Sequence, residues 1–483
     1  MSSAQMATAA DFAARLATLD PVRAALAGTP VPPGALTDYS PDGRAARAEL
    51  LRGTDPGDDA ALAERLTAEA AHAEAFLDAE VNLIASPPMQ LREHVTALLA
   101  AGDPEASAEA LAGVPRALRG YAETLRHAPV APVRNQVEMV LGAVRSWADG
   151  GVEFGDTPEA AAARAGYAEL ADVLATEVLP GSRDEPGIGP DRYRAAARFH
   201  LGEDVSPEDL RAGLLTELER VRAECAALAP EGVRAACAAF DADPAWQVAG
   251  PAELRAWLVA RVGAASTDLP VTGLGELEVD VREEPGPVRY QPPAADGSRR
   301  GRLVWPVSDP APRPMWSQVT TVHHEGVPGH HVQLGAAPLP ACGPVAGNSE
   351  GWAVHAEGLA LAAGALPTRA EHLGYLLGLR LNAAMALADL SVHTGVPLGD
   401  TGHPWSVQAA AEFLAEESAF DAGGLYFTVL RSAAWPGQAL TYTWGALAWQ
   451  DLADRAGNRR DFYAEALALG PIGLAPLRAA LRR

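Results

Sequence analysis

Four of the chain's 12 histidines fall within nine positions, His323-His324-Glu325-Gly326-Val327-Pro328-Gly329-His330-His331, and Glu350 stands 20 residues past His330. Neutral imidazoles and one carboxylate are ligands that zinc takes, and a hydrolytic zinc site needs a second carboxylate free to move a proton. Glu325 is the candidate for that second role. It follows His324 directly, so it cannot share that imidazole's direction, but it can face the open side of a cation and exchange protons there.

The spacing is not that of two histidines one turn apart on a regular helix. At about 100° per residue, His330 lies about 120° off the face of His324, and His331 returns to that face only after a rise of about 10 Å. That is too far for two nitrogens each about 2.0–2.1 Å from one zinc ion. Pro328 supplies the distortion, because it has no N–H for the carbonyl of His324 and its ring clashes with that carbonyl. Gly329 tolerates backbone angles that other residues avoid. With Pro328 and Gly329 bulged out as two inserted residues, His330 becomes the second ligand. His331 is the alternative ligand, or else it meets substrate or the outer nitrogen of a ligand. His323 points away from His324 and reads as packing or surface.

Glu350 opens a helix with Asn348 or Ser349 as its cap, and Glu357 recurs on the same face two turns later. One of the two glutamates completes the metal site while the other holds a ligand histidine by its far nitrogen. We assign Glu350 as ligand and Glu357 as orienter, although periodicity also permits the reverse. A tetrahedral intermediate further needs a donor for its oxyanion, and Arg431 and Tyr442 flank a Pro-Gly break in "RSAAWPGQALTYTWG" (431–445).

These side chains need a scaffold, and 483 residues at 48% hydrophobic content can bury a large core. The net charge of −24 repels phosphate backbones and argues against nucleic acid as a partner. All 38 basic residues are arginine, so lysine Schiff bases and phosphate-loop lysines are excluded. The first residues lack a basic start followed by an apolar stretch, and no uninterrupted apolar run reaches the roughly 18–20 residues that cross a bilayer. The expectation is a cytoplasmic protein without a membrane partner. Three cysteines make no disulfide framework, and Cys342, between the histidines and Glu350, reads as a buried or loop thiol.

Most of the chain has helical periodicity, including residues 61–85, 206–229 and 408–417. Ser206-Pro207-Glu208-Asp209 is a helix start, with a capping serine, proline in the first turn and acids at the positive end of the dipole. Pro/Gly-rich breaks near 30–35, 180–190 and 285–300 read as loops. "GELEVDVREE" (275–284) alternates apolar and acidic residues, and "GRLVWPVSD" (301–309) is a second strand candidate. Together they predict a small antiparallel ribbon just before the histidine cluster, either a structural hairpin or an edge that pairs with an extended peptide. The expected division is a helical region over 1–270, the ribbon over 271–310 and a helical metal-binding region over 311–483, as two lobes of one structural unit.

"HEGVPGHHVQ" (324–333), "EGWAVHAE" (350–357) and "RSAAWPGQALTYTWG" resemble the motifs of the bacterial "domain of unknown function 885" proteins, regarded as zinc metallopeptidases. The likeness spans roughly residues 190–450. It implies a largely helical zincin fold with glutamate as third zinc ligand. It also implies His324, His330 and Glu350 as ligands, Glu325 as base and Tyr442 as transition-state donor. The chain departs from the family pattern at Val327, where an aromatic residue is usual, at His355, which replaces the tyrosine of EGWALYAE, and at Met385, where a basic residue is common. His355 is thereby a candidate for contact with substrate or with a ligand's outer side.

The resulting expectation is a mostly α-helical, zinc-dependent metallopeptidase acting on small peptides. The alternatives are a zinc amidase or deacylase acting on a non-peptide metabolite, and a metal-binding protein without catalysis. A di-iron helical site would need paired Glu-x-x-His motifs, and Glu69-Ala-Ala-His72 stands alone.

Overall fold

A computed structural model describes residues 3–265, 269, 274–284, 286–294, 299–336, 339–340, 342–397, 406–418 and 422–482. The fold is mostly helical, as the periodicity implied. It divides into two compact units, Met1–Phe199 with Ala341–Gly343 and Leu430–Pro436, and His200–Pro340 with Pro344–Val429 and Gly437–Arg483. The division falls at Phe199 and not near residue 270. Helix Pro207–Leu228 goes with the second unit because Val221 and Cys225 bury against Trp316, Leu373 and Leu376 there.

In the first unit, helices Pro104–Arg126, Arg134–Ala148 and Pro158–Val173 enclose a core of Val114, Leu118, Tyr121, Val140, Trp147, Tyr167 and Leu170. Asp103 and Thr157 cap two of them, each followed by proline at the first helical position. The helical pattern over 61–85 is realised only as Ala60–Glu74, after which the chain turns at Phe76. Glu69 is tied by Arg23 and Arg65, and His72 stacks on Phe199 at 4.2 Å. That Glu-x-x-His pair is therefore structural. Cys342 packs beside the Phe12, Leu50 and Leu62 core, where burial pushes its thiol up to about 11.

The second unit carries the histidine cluster. Its three-stranded sheet is made of β1 (Leu277–Arg282), β2 (Arg289–Gln291) and β3 (Gly301–Pro306). The sheet order is β1-β3-β2, with β1 parallel to β3 from Leu277↔Gly301 to Arg282↔Pro306 and only β2 antiparallel. The antiparallel ribbon is thus corrected to a mixed sheet. Parallel neighbours need a crossover rather than a tight turn, and residues 283–300 supply it, with β2 on the way. Part of that loop, 285 and 295–298, lies outside the described residues. As the central strand, β3 buries Leu303, Val304 and Trp305 in succession, which removes the alternation a half-exposed strand would show.

Five helices of this unit frame the cluster, namely α1 (Val319–Glu325), α2 (His330–Ala336), α3 (Ala346–Ala362), α4 (Arg369–Thr394) and α5 (Leu440–Arg455). The sheet packs on α1 through Val279, Leu303, Trp305 and Val322. Helix α4 starts with a Thr368–Glu371 capping box, and it is long and apolar enough by composition to cross a bilayer. Most of that stretch is buried within the protein, as in the core helix of a globular domain. Helices α3 and α5 meet backbone to backbone. A Cβ on Gly351 would lie 2.4 Å from the Cα of Gly445, and one on Gly445 would lie 2.1 Å from the Gly347 carbonyl oxygen.

Candidate metal centre

The helix of the first histidines ends where Pro328 requires it to. α1 stops at Glu325, four residues intervene, and α2 begins at His330, so the break is larger than a two-residue bulge. The Gly329 N–H donates to the His323 carbonyl at 3.0 Å, and the His331 N–H donates to that of Gly326 at 3.2 Å. A Cβ on Gly329 would sit 2.0 Å from the His324 carbonyl oxygen, which only glycine avoids. The indole N–H of Trp352 on α3 holds the turn from the other side, shared between the carbonyls of Pro328 (3.2 Å) and Gly329 (3.1 Å). His323 Nδ1 lies 2.8 Å from the Val327 carbonyl, so this residue braces the turn.

This turn brings His330 to His324. Their rings meet edge to face, with centroids 4.9 Å apart and planes at 88°. Glu350 on α3 faces both, its Oε2 lying 3.3 Å from His324 Nε2 and 3.5 Å from His330 Nε2. One donor atom from each of the three residues lies within 4.8 Å of the other two. Ligands bound tetrahedrally at about 2.0–2.2 Å stand about 3.3–3.5 Å apart, so the two distances to the carboxylate are those of a coordination edge. The residue types and the spacing fit a zinc-sized cation, and this cluster could hold one.

The electrostatics also call for positive charge. Burial alone would lower the proton affinity of His324, but its hydrogen bonds to Glu350 and Glu357, helped by the charge of Glu325, raise it well above the usual histidine range. Burial would raise Glu350, yet His330 and His324 pull it well below the usual carboxylate range. A proton on His324 between two carboxylates is the electrostatic counterpart of a bound cation.

Glu357, two turns after Glu350, places Oε1 2.8 Å from His324 Nδ1. That contact puts a hydrogen on Nδ1, so Nε2, on the side of Glu350, is the nitrogen that would offer its lone pair to a cation in place of its proton. His330 has no such partner, since its buried Nδ1 makes no hydrogen bond among the described residues. Glu325 is buried and likewise makes no hydrogen bond among the described residues, so none of them ties up its carboxylate.

His331 does not join the cluster. Its Nε2 lies 2.9 Å from the Gly275 carbonyl and its Nδ1 lies 3.0 Å from the Tyr290 hydroxyl. Because a carbonyl only accepts, Nε2 carries the hydrogen and Nδ1 accepts from Tyr290. His331 therefore ties α2 to the strand layer, and the alternative of His331 as second ligand is corrected. Arg255 donates to the Val279 carbonyl, so protein donors already take two backbone carbonyls along β1 and the residues leading into it. His355 is also drawn elsewhere. At about 100° per residue it lies about 140° from Glu350, and it packs between Trp352, Trp449 and Tyr463 with Nε2 2.8 Å from the Tyr463 hydroxyl. Burial, aided by the charge of Arg459, lowers it to about 4, and it forms part of the core rather than a face toward substrate.

Tyr442 occupies the first turn of α5, half-buried, with its ring 6.4 Å from that of His324 and tilted by 31°. Arg431 is exposed and lies in the 430–436 segment that packs with the first unit. Two contributors had escaped the sequence. Thr320 donates its hydroxyl to Glu357 Oε2, a contact that its position one turn before His324 on the same face could have suggested. Tyr290 reaches His331 from a different element, and nothing in its sequence position signals this.

The chain is thus a mostly helical protein in which two imidazoles and a carboxylate converge on one point as a group that could hold a metal ion, with a second carboxylate behind one imidazole. This chain is a member of the bacterial protein family of unknown function 885, whose family model matches residues 21–481. Two solved structures, each described as a "putative lipoprotein", share the fold. The one from Colwellia psychrerythraea has a TM-score of 0.70 and 16% identity, covering 99% of this chain and 98% of that one. The one from Shewanella oneidensis has a TM-score of 0.72 and 14% identity, covering 99% of each chain. A carboxypeptidase from Pyrococcus furiosus superposes with a TM-score of only 0.41 at 11% identity, over 99% of this chain and 94% of that one, and carries no argument. No curated protein matches the sequence.

Proposed function

We propose that the protein is a zinc-dependent metallopeptidase that hydrolyses amide bonds of small peptides. The observation that carries this reading is the pairing of a three-residue donor set, His324, His330 and Glu350, with a neighbouring buried carboxylate, Glu325, that has no hydrogen-bond partner among the described residues. A closed structural site needs no such spare base. When bound, zinc would supply Lewis acidity for the amide carbonyl and make water more acidic, toward neutrality. Glu325 takes the proton from that water and delivers it to the leaving amine. Glu357 keeps His324 in the tautomer that offers Nε2. The Tyr442 hydroxyl donates to the oxyanion as the carbonyl becomes tetrahedral. Arg431, the other donor candidate, takes no part in this reading.

The first test is zinc content of purified protein beside Glu350→Ala. One zinc per chain, lost in the variant, is the expected result, and equal content in both would remove the basis of the reading. A panel of dipeptides and N-acyl amino acids then separates a peptidase from a deacylase. Turnover confined to non-peptide amides would move the assignment to the latter, and rapid cleavage of intact casein would contradict the restriction to small peptides.

A further inference from the structure

Threonines within helices of this protein usually satisfy themselves locally. Thr67, Thr96, Thr176, Thr216 and Thr394 each donate a hydroxyl hydrogen to the carbonyl four residues earlier. This is the common habit of the residue. Thr320 does otherwise. Its hydroxyl reaches across from α1 to the carboxylate of Glu357 on α3, and both side chains are buried.

The target of that donor matters. Glu357 has two oxygens with separate duties: Oε1 faces His324 Nδ1 at 2.8 Å and Oε2 accepts from Thr320. Thr320 and His324 are four residues apart on one helix, so both side chains leave the same face and meet the same carboxylate. Without the hydroxyl, a buried Oε2 would lose its donor, and the carboxylate could rotate away from His324. With it, the carboxylate stays aimed at His324, the hydrogen bond from Nδ1 is held in place, and electron density is pushed toward Nε2, the atom facing Glu350.

We infer that Thr320 is a positioning residue of the cation site, acting through Glu357 to set the orientation and donor strength of His324. This rests on the reading of His324, His330 and Glu350 as a zinc site. It concerns the chain's own affinity for the ion, so it can be tested without any substrate.

The experiment measures zinc affinity of metal-stripped, full-length protein by competition with a chromophoric chelator, and records the visible spectrum after loading with cobalt(II). Thr320→Val keeps the shape and removes the donor. It is expected to weaken zinc binding about 10-fold, the lower end of the effect of outer-layer substitutions, and to shift the cobalt bands. Thr320→Ser keeps the donor and is expected to bind within about twofold of wild type with an unshifted spectrum. Should the valine variant not fold, Thr320→Ala compared with Thr320→Ser gives the same contrast. Wild-type affinity and spectrum in the variants lacking the hydroxyl would overturn the role of Thr320 and leave the zinc site standing. Failure of the wild-type protein itself to bind zinc would overturn both.

Discussion

Asp389, buried toward the C-terminal end of α4, accepts the backbone N–H of Gly437 through Oδ2 at 2.9 Å. Helix α5 begins three residues later and has no side-chain cap of its own. A carboxylate from another helix thus stands at its positive dipole end, just ahead of the turn that carries Tyr442. Asp389→Ala is expected to destabilise the fold by about 1–3 kcal/mol and to lower kcat more than it changes KM. Asp389→Asn keeps an acceptor oxygen and should lie between the two. Denaturant unfolding alongside hydrolysis rates checks this, and an alanine variant with unchanged kcat would remove the link to Tyr442.

The two adjacent histidines should separate cleanly. His330→Ala is expected to abolish stoichiometric zinc binding. His331→Ala should keep zinc while losing about 1–3 kcal/mol of stability, because Tyr290 and the Gly275 carbonyl lose a buried partner. Metal analysis and thermal melts of both variants decide the matter, and zinc loss in the His331 variant alone would reverse the assignment.

Zinc affinity should rise with pH. The folded-state value of His324 is raised above 6.5, so in metal-free protein its proton adds stability that is fully present below about pH 6.5 and is lost as pH climbs through the raised value. Glu350 is shifted the other way, and its contribution, present above 4.5, is lost as pH falls through its depressed value. Zinc must displace the His324 proton, so the gain in melting temperature on adding zinc should widen from about pH 5.5 to about pH 8.5. A gain that stays constant over that range would contradict the placement of the proton.

Glu325→Gln should retain one zinc per chain and lose activity by about 10²–10⁴-fold, as removal of a general base does. Tyr442→Phe should lower kcat by about 10²–10³-fold with little change in KM. Steady-state kinetics on zinc-loaded variants tests both, and near-normal turnover in the Glu325 variant would end the proposed chemistry.

Gly329→Ala places a methyl group 2.0 Å from the His324 carbonyl oxygen. The turn must then open, and zinc binding and stability should fall together, as read by metal content and thermal melts. An alanine variant that binds zinc like wild type would show the turn to be more adaptable than its geometry implies.

How much of this was legible follows from where each constraint resides. Pro328 and Gly329 announce a broken helix by their covalent structure alone, so the sequence could bring His330 to His324 even though the break proved longer than two residues. The seven-residue interval between Glu350 and Glu357 put both on one face. The interval cannot say which glutamate meets which nitrogen, since that depends on how α3 packs against α1. His331 and His355 illustrate the limit. Their partners, Tyr290 and Tyr463, lie 41 and 108 residues away, and no local periodicity encodes a hydrogen bond across such separations. The strand direction failed for a similar reason. Alternation marks β1 as half-exposed, but whether its neighbour runs parallel depends on the path of the loop between them.

The crossing of α3 and α5 at Gly347, Gly351 and Gly445 has a consequence for how this protein can diversify. One helix bears Glu350 and the other Tyr442, and no side chain separates them at the point of contact. Any residue larger than hydrogen there would act as a wedge, displacing ligand and hydroxyl together rather than either one singly. Variation in what such a site can accept therefore has to come from the walls around it, while the junction of these two rods stays bare.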